Sequence, residues 1–255
     1  MNTYPETGTL INKLGIKDQD KLNDAEYMLT RQKVLYIQQY PLKEYKVMNF
    51  DALKATHREL FGQVYEWAGK IREENISKGN SLFAKSQFIE GVGKEIFDKL
   101  SRDNFLKDLP MDQFVQKAAY YYSEINALHP FREGNGRTQN LFFTELARQA
   151  GHTLDWTRIT KEDYLRSVEE SFFKGEGPLK KMFDQITVKM EKHQSLSVAD
   201  IKAPAGLKLE RYESQLGNIR EYDKKMGQKG KENSRDGGVG QSLERGGLSK
   251  DGIER

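Results

Sequence analysis

The stretch HPFREGNGRTQN, His129–Asn140, sets a histidine, an acid, two glycines and an arginine between two segments with helical patterning. Pro130 disfavours helical geometry at the residue before it, so the preceding helix is expected to end near His129. That helix is MDQFVQKAAYYYSEINAL, where Phe114, Ala118, Tyr121, Tyr122 and Ile125 recur at helical spacing and form one apolar face. Gly134 and Gly136 permit positive φ angles, and the next helix is expected to open at about Arg137 or Thr138. It carries Phe142, Phe143, Leu146, Ala147 and Ala150, and Gly151 closes it. Further upstream, FDALKATHRELFGQVYEWAG repeats the pattern through Leu53, Leu60, Val64 and Trp67 and stops at Gly69. One segment departs from it. ENISKGNSLFAK offers two short extended runs around Gly79-Asn80, a pair suited to a tight hairpin turn. The expected architecture is all-α with one small hairpin.

The 255 residues suffice for one sizeable core, or for one domain with an extension. We expect the folded domain to be residues 1–195, followed by a polar, partly helical connector at 196–226. A tail at 227–255 holds eight of the 22 glycines and no aromatic residue, and it is expected to be disordered because it cannot bury enough apolar surface to offset its ordering entropy. A balance of 41 basic against 38 acidic side chains is too even to indicate direct nucleic-acid binding. The chain has no cysteine, which removes disulfides, thiolate metal sites and cysteine nucleophiles together. No apolar run approaches membrane-spanning length and no secretory leader is evident. The expectation is a soluble cytoplasmic protein without a membrane partner, with delivery into another cell left open.

The loop has the parts of a phosphate cradle. A helix N-terminus supplies unpaired N–H donors and a positive dipole, glycines let successive amides turn inward, and Arg137 adds a planar fork of donors. Glu133 conflicts with a phosphate unless Mg²⁺ bridges the two. His129, with an ordinary pKa of about 6.5, is placed to take a proton from an incoming hydroxyl. Each part taken alone has an ordinary explanation: a helix-end histidine is usually a cap, a G-N-G a turn, a glutamate a solvated charge. Their conjunction points to phosphoryl or nucleotidyl transfer. His57, His152 and His193 show no metal-ligand spacing. They are read as non-catalytic, His57 as structural, and no zinc is expected.

At these residues the chain resembles the Fic family, whose signature is H-P-F-x-[D/E]-G-N-G-R-x-x-R. YPETGTLINKLGI, HRELFGQVYEWAGKIR and NISKGNSLFA are similar to other parts of the family's domain, so the likeness runs over about residues 4–190. The resemblance implies a helical Fic fold with a β-hairpin flap, and transfer of AMP from ATP to a Ser, Thr or Tyr hydroxyl of a target protein. It implies His129 as base, Phe131 as the anchor of the loop and Glu133 as the Mg²⁺ ligand. Gly134, Asn135 and Gly136 would form the anion hole, and Arg137 would hold the β-phosphate. Ile76, Ser77, Lys78, Gly79, Asn80, Ser81, Leu82 and Phe83 would form the flap that aligns the target. By family analogy the target is a topoisomerase subunit or a small GTPase.

The signature's last arginine, a γ-phosphate ligand in the family, falls at Asn140. Loss of a charge-assisted contact there is worth about 1.5–3 kcal/mol, so reduced activity or a different donor is expected. The family's inhibitory motif is absent; SFFKGEG, Ser171–Gly177, has one residue too many. That pattern resembles the class silenced in trans by a small antitoxin. Two other readings stay open: kinase-like or other phosphodiester transfer on the same fold, and an inactive Fic scaffold.

Overall fold

Asp18, Asn49 and Thr160 each turn a side-chain oxygen onto a free N–H of the helix that follows, so three helices start where a cap residue stands. The computed structural model describes residues 3–78 and 81–189, with Lys78, Ser81 and Leu82 as backbone alone. The expected connector at 196–226, the tail at 227–255 and the hairpin tip Gly79-Asn80 lie outside the described residues.

Seven α-helices carry the described fold: α1 (Gln19–Gln39), α2 (Phe50–Phe61), α3 (Ile89–Arg102), α4 (Met111–Leu128), α5 (Asn135–Gln149), α6 (Lys161–Lys174) and α7 (Gly177–Ile186). Helix α4 is the axis of the core. Its Phe114, Ala118, Tyr121, Tyr122 and Ile125 are all buried, and α3, α5, α6 and α7 pack around it. Because α4 is covered on several sides, the polar tips of its tyrosines must find partners inside the protein. Tyr121 donates to Asp103 and Tyr122 to Asn140. None of the described helices is long and apolar enough to cross a membrane.

The hairpin forms as expected, β1 (Ser77–Lys78) pairing antiparallel with β2 (Ser81–Leu82) in the register Ser77 to Leu82 and Lys78 to Ser81. A second antiparallel pair was not anticipated. It joins β3 (His152–Leu154) to β4 (Thr187–Lys189), two three-residue runs that only the packing of α6 and α7 brings together.

Helix α2 corrects another expectation, since it ends at Phe61 and not near Gly69. Val64 and Tyr65 both direct N–H groups to the Phe61 carbonyl, and the chain folds back over its own helix. Gly69 closes that turn at φ +82, where an added Cβ would stand 2.7 Å from the Arg58 Cβ. The apolar periodicity of residues 64 to 67 is satisfied by burial in this turn, not by a longer helix.

Candidate active site

Helix α4 ends at Leu128 as Pro130 requires, and His129 takes the left-handed cap conformation at φ 45, ψ 63. Its N–H still reaches back to the Ile125 carbonyl at 3.1 Å. The ring's Nδ1 lies 3.2 Å from the Asn126 carbonyl. A carbonyl only accepts, so Nδ1 carries a hydrogen there, and in the neutral tautomer of that ring the lone pair falls on Nε2. Phe83, from the end of the flap, stacks on the imidazole with ring centres 3.7 Å apart, and Phe172 of α6 meets Phe83 edge-on. Of the expected flap, Ile76 is half-buried and Ser77 exposed, and among its described side chains Phe83 reaches the histidine.

Beyond His129 the loop is braced from inside. Phe131 is 1% exposed, and its ring lies 3.9 Å from that of His57. Asn135 locks the same residue's main chain: its Oδ1 accepts from the Phe131 N–H and its Nδ2 donates to the Phe131 carbonyl. The Asn135 side chain is therefore consumed by the loop, and only its backbone is left for an anion. Gly134 caps α5 at φ +79, with the ring of Phe61 beneath it. A Cβ there would come within 2.3 Å of that ring, so both φ and space demand glycine.

Helix α5 starts at Asn135, two residues before the earliest expected position, and Gly136 is helical and not in the left-handed region. Of the loop's two glycines, only Gly134 uses positive φ. The loop closes earlier because Asn135 and Thr138 both bond backward, Thr138 through its N–H and hydroxyl to the Gly134 carbonyl. The donors this end could offer an anion are thus the first-turn amides of Asn135, Gly136 and Arg137, at a helix end whose cap residue has no side chain to satisfy them.

Glu133 is exposed, and its Oε1 accepts from the Gly134 N–H at 2.8 Å. That oxygen also lies 3.5 Å from Arg137 Nη2, while Oε2 has no partner among the described residues. Arg137 spans the Phe61 ring, its guanidinium carbon 4.6 Å from the centroid, and reaches the buried Glu26 of α1 at 2.5 Å. Asn140 sits one turn further along α5. There Tyr122 donates to its Oδ1 at 2.7 Å, and the Tyr164 hydroxyl of α6 bonds to both residues. Burial raises both phenols above the ordinary tyrosine range, so the position of the signature's last arginine holds a neutral hydroxyl–amide cluster. An added Cβ on Gly136 would stand 3.2 Å from the Tyr164 oxygen, which puts that phenol beside the first turn of α5.

His57, read from the sequence as structural, and Arg72, which had no assigned role, hold the loop in place. His57 accepts from the Gly69 N–H at Nδ1 and, so tautomerised, donates from Nε2 to the Glu133 carbonyl at 2.9 Å. Arg72 is 4% exposed, and its guanidinium donates to the carbonyls of Glu74, Ala84, Leu128 and His129. Its own N–H donates to Pro130. It thereby ties both ends of the flap to the end of α4, and burial lowers its pKa. No local pattern marks these residues. The partners lie 57 residues away for Arg72 to His129, 76 for His57 to Glu133, and 111 for Arg137 to Glu26.

Burial, the leading cause, and the positive charge of Arg137 lower the His57 pKa from 6.5 to about 4, against a raising contribution from the Glu133 carbonyl. The unfolded chain takes up this proton near 6.5 and the folded chain only near 4, so stability is fully present above the first value and falls as pH drops toward the second. The loss is on the order of 3 kcal/mol. Urea midpoints measured between these pH values should fall steeply for the native chain and less steeply for His57→Gln, which is weaker at neutral pH but does not titrate. Parallel curves would refute the assignment.

A sequence profile of the Fic/DOC family matches residues 47–147. The protein adenylyltransferase VbhT of Bartonella schoenbuchensis is 43% identical over 174 residues, covering 67% of this chain and 35% of its own length. The probable protein adenylyltransferase Fic of Escherichia coli is 37% identical over 159 residues, 62% of this chain and 78% of that protein. Among solved structures, BepC of Bartonella tribocorum, crystallised with bound AMPPNP, superposes with a TM-score of 0.69 at 28% identity, over 74% of this chain and 97% of that one. This chain spans about a third of VbhT but most of the E. coli protein and of BepC. Helices α2, α3 and α4, the loop and most of α5 all lie in the matched segment, and with the E. coli likeness they make this chain a member of the Fic/DOC family.

Proposed function

We propose that the chain is a protein adenylyltransferase that moves AMP from ATP to a serine, threonine or tyrosine hydroxyl of a target protein. One observation carries the reading. The loop that sets an imidazole at the end of α4 opens directly onto the uncapped first turn of α5. A base and an anion-binding amide cluster are thus held on one short braced segment. Adenylyltransferase names among relatives and the nucleotide bound to BepC support it.

The triphosphate lies against the first-turn amides of Asn135, Gly136 and Arg137, with the Arg137 guanidinium on the β-phosphate. The target hydroxyl gives its proton to His129 Nε2 as its oxygen attacks the α-phosphorus. The bond from the α-phosphorus to the bridging oxygen breaks, and pyrophosphate leaves. His129 moves the proton; the amides and Arg137 stabilise charge that grows on the phosphoryl oxygens. Phe83 stacks against the ring and keeps its plane fixed, while the paired backbone of β1 and β2 offers an edge for a strand-like target segment.

Mg²⁺ fits the donor set. Among the described residues no cluster of three or more His, Cys, Asp or Glu side chains forms a protein-only cage. Glu133 instead presents one unpaired oxygen, as expected for an ion that keeps waters and shares phosphate oxygens. Bound there, it would neutralise phosphate charge facing the carboxylate.

Incubation with lysate and ATP labelled at either the α- or the γ-phosphate tests the proposal. Label should transfer from the α position only, with an adenylyl mass increase on the target. Transfer from the γ position would establish the kinase-like alternative. No transfer from either would favour the scaffold reading.

Asn140 sets a further expectation. An arginine there must leave the Tyr122 and Tyr164 cluster, which removes the Asn140 acceptor and leaves the Tyr122 hydroxyl bonded to Tyr164 alone, at a cost of about 1 kcal/mol. In return it supplies a cation one turn past Arg137. Asn140→Arg should melt at a lower temperature and bind ATP roughly 10-fold more tightly, a gain that ADP does not share. Calorimetric titration with the two nucleotides measures it, and equal changes for both would remove the γ-phosphate explanation. A hydroxyl target and an inhibitor supplied in trans complete the proposed setting.

A further inference from the structure

Helix α1 precedes the matched segment, yet it delivers a buried carboxylate to the loop. Glu26 is 5% exposed. Its Oε2 accepts from Arg137 Nη2 at 2.5 Å and its Oε1 from the hydroxyl of Tyr65, itself 1% exposed. A carboxylate withdrawn from water is unfavourable unless paired, and an apolar pair of equal volume is often at least as stable. Core stability alone is therefore a poor account of this group.

The geometry of Arg137 supplies a better one. Its guanidinium is held from three sides: Nη2 is bonded to Glu26, the same nitrogen faces Glu133 at 3.5 Å, and the plane rests over Phe61. Nε and Nη1 have no partner among the described residues, and 37% of the side chain is exposed. An arginine otherwise loses considerable rotamer freedom when it grips an anion. Here that freedom is already restricted, with the remaining donors on the accessible side.

We infer that Glu26, backed by Tyr65, is a positioning residue that presets Arg137 for the donor's phosphate, which makes α1 part of the nucleotide site. This rests on the reading of the α5 N-terminus as that site. Tyr65 keeps the carboxylate from rotating away, and the carboxylate keeps the guanidinium over Phe61. An arginine fixed before binding leaves less ordering to be done on binding.

The test uses the full chain, ATP with magnesium, calorimetric affinity and steady-state rates. Glu26→Ala should raise Kd and KM for ATP about 10-fold while kcat at saturating ATP stays within about two-fold. Glu26→Gln, whose amide oxygen still accepts from the guanidinium, should recover much of the loss; it also serves should the alanine variant fold poorly. In an Arg137→Ala background, Glu26→Ala should add less than about two-fold, because the two residues act through one contact.

Unchanged ATP affinity in both Glu26 variants, with Arg137→Ala weakened, would overturn the inference and leave the nucleotide site standing. Tighter binding in Glu26→Ala would also overturn it, since the carboxylate would then be a brake. Additive losses would do so as well. Should Arg137→Ala itself bind ATP normally, the nucleotide site and this inference both fail.

Discussion

Replacing His129 by alanine is expected to lower the rate of AMP transfer by about 10²–10⁴-fold, with ATP affinity and melting temperature close to those of the native chain. The imidazole is half-buried at the end of α4 and takes part in neither the Phe131–Asn135 brace nor the Gly134 turn. Its removal deletes the proposed proton acceptor and leaves the first-turn amides of α5 in place. His129→Asn is the sharper companion variant. Asparagine tolerates the left-handed backbone that this cap requires, can retain a hydrogen bond, and has no basic nitrogen. Both variants should be equally inactive in single-turnover transfer from α-labelled ATP. If either keeps more than about a tenth of the native rate, His129 is not the base.

Arg72→Met should have the largest effect on stability. The native guanidinium donates to four backbone carbonyls from two parts of the chain, two at the flanks of the flap and two at the end of α4. Methionine fills similar volume but leaves those carbonyls without their donor, and each buried unsatisfied group costs about 1–3 kcal/mol. A loss of about 3 kcal/mol or more corresponds to a fall of roughly 6–12 °C in melting temperature for a domain of this size. The carbonyls of Leu128 and His129 lie at the negative end of α4, so the charge also opposes the helix dipole favourably. Arg72→Lys should fall between, because a point ammonium cannot reach four acceptors as a planar fork does. Calorimetric scans decide it: a methionine variant melting within about 2 °C of the native chain would show that the flap and α4 are joined by other contacts.

Much of the site could be read along the chain because its parts are local. Pro130 sets the end of α4 from one residue away, Gly134 supplies the left-handed turn, and Asn135 braces a residue four positions earlier. Such effects depend on neighbours that the sequence itself lists in order. The two misplaced helix boundaries have local patterns that tertiary contacts overrode. The apolar residues after Phe61 suit a helix and a buried turn equally well, and only the need of the His57 ring for the Gly69 N–H distinguishes them. The start of α5 moved to Asn135 because that side chain bonds to Phe131 and not to solvent or ligand.

Composition and short-range order alone determined a helical protein with one hairpin, a histidine at a helix end, and a glycine loop feeding a helix N-terminus, since each follows from φ restrictions, periodicity and capping. The tertiary structure decided what holds those groups in place. Arg72, His57 and Glu26 each satisfy a buried polar group by reaching a distant segment, and the strength of such a bond depends on the desolvated surroundings that only the packed chain creates. It also decided that Asn140 faces two phenols, so that the site ends in neutral hydrogen bonds where the family signature has a charge.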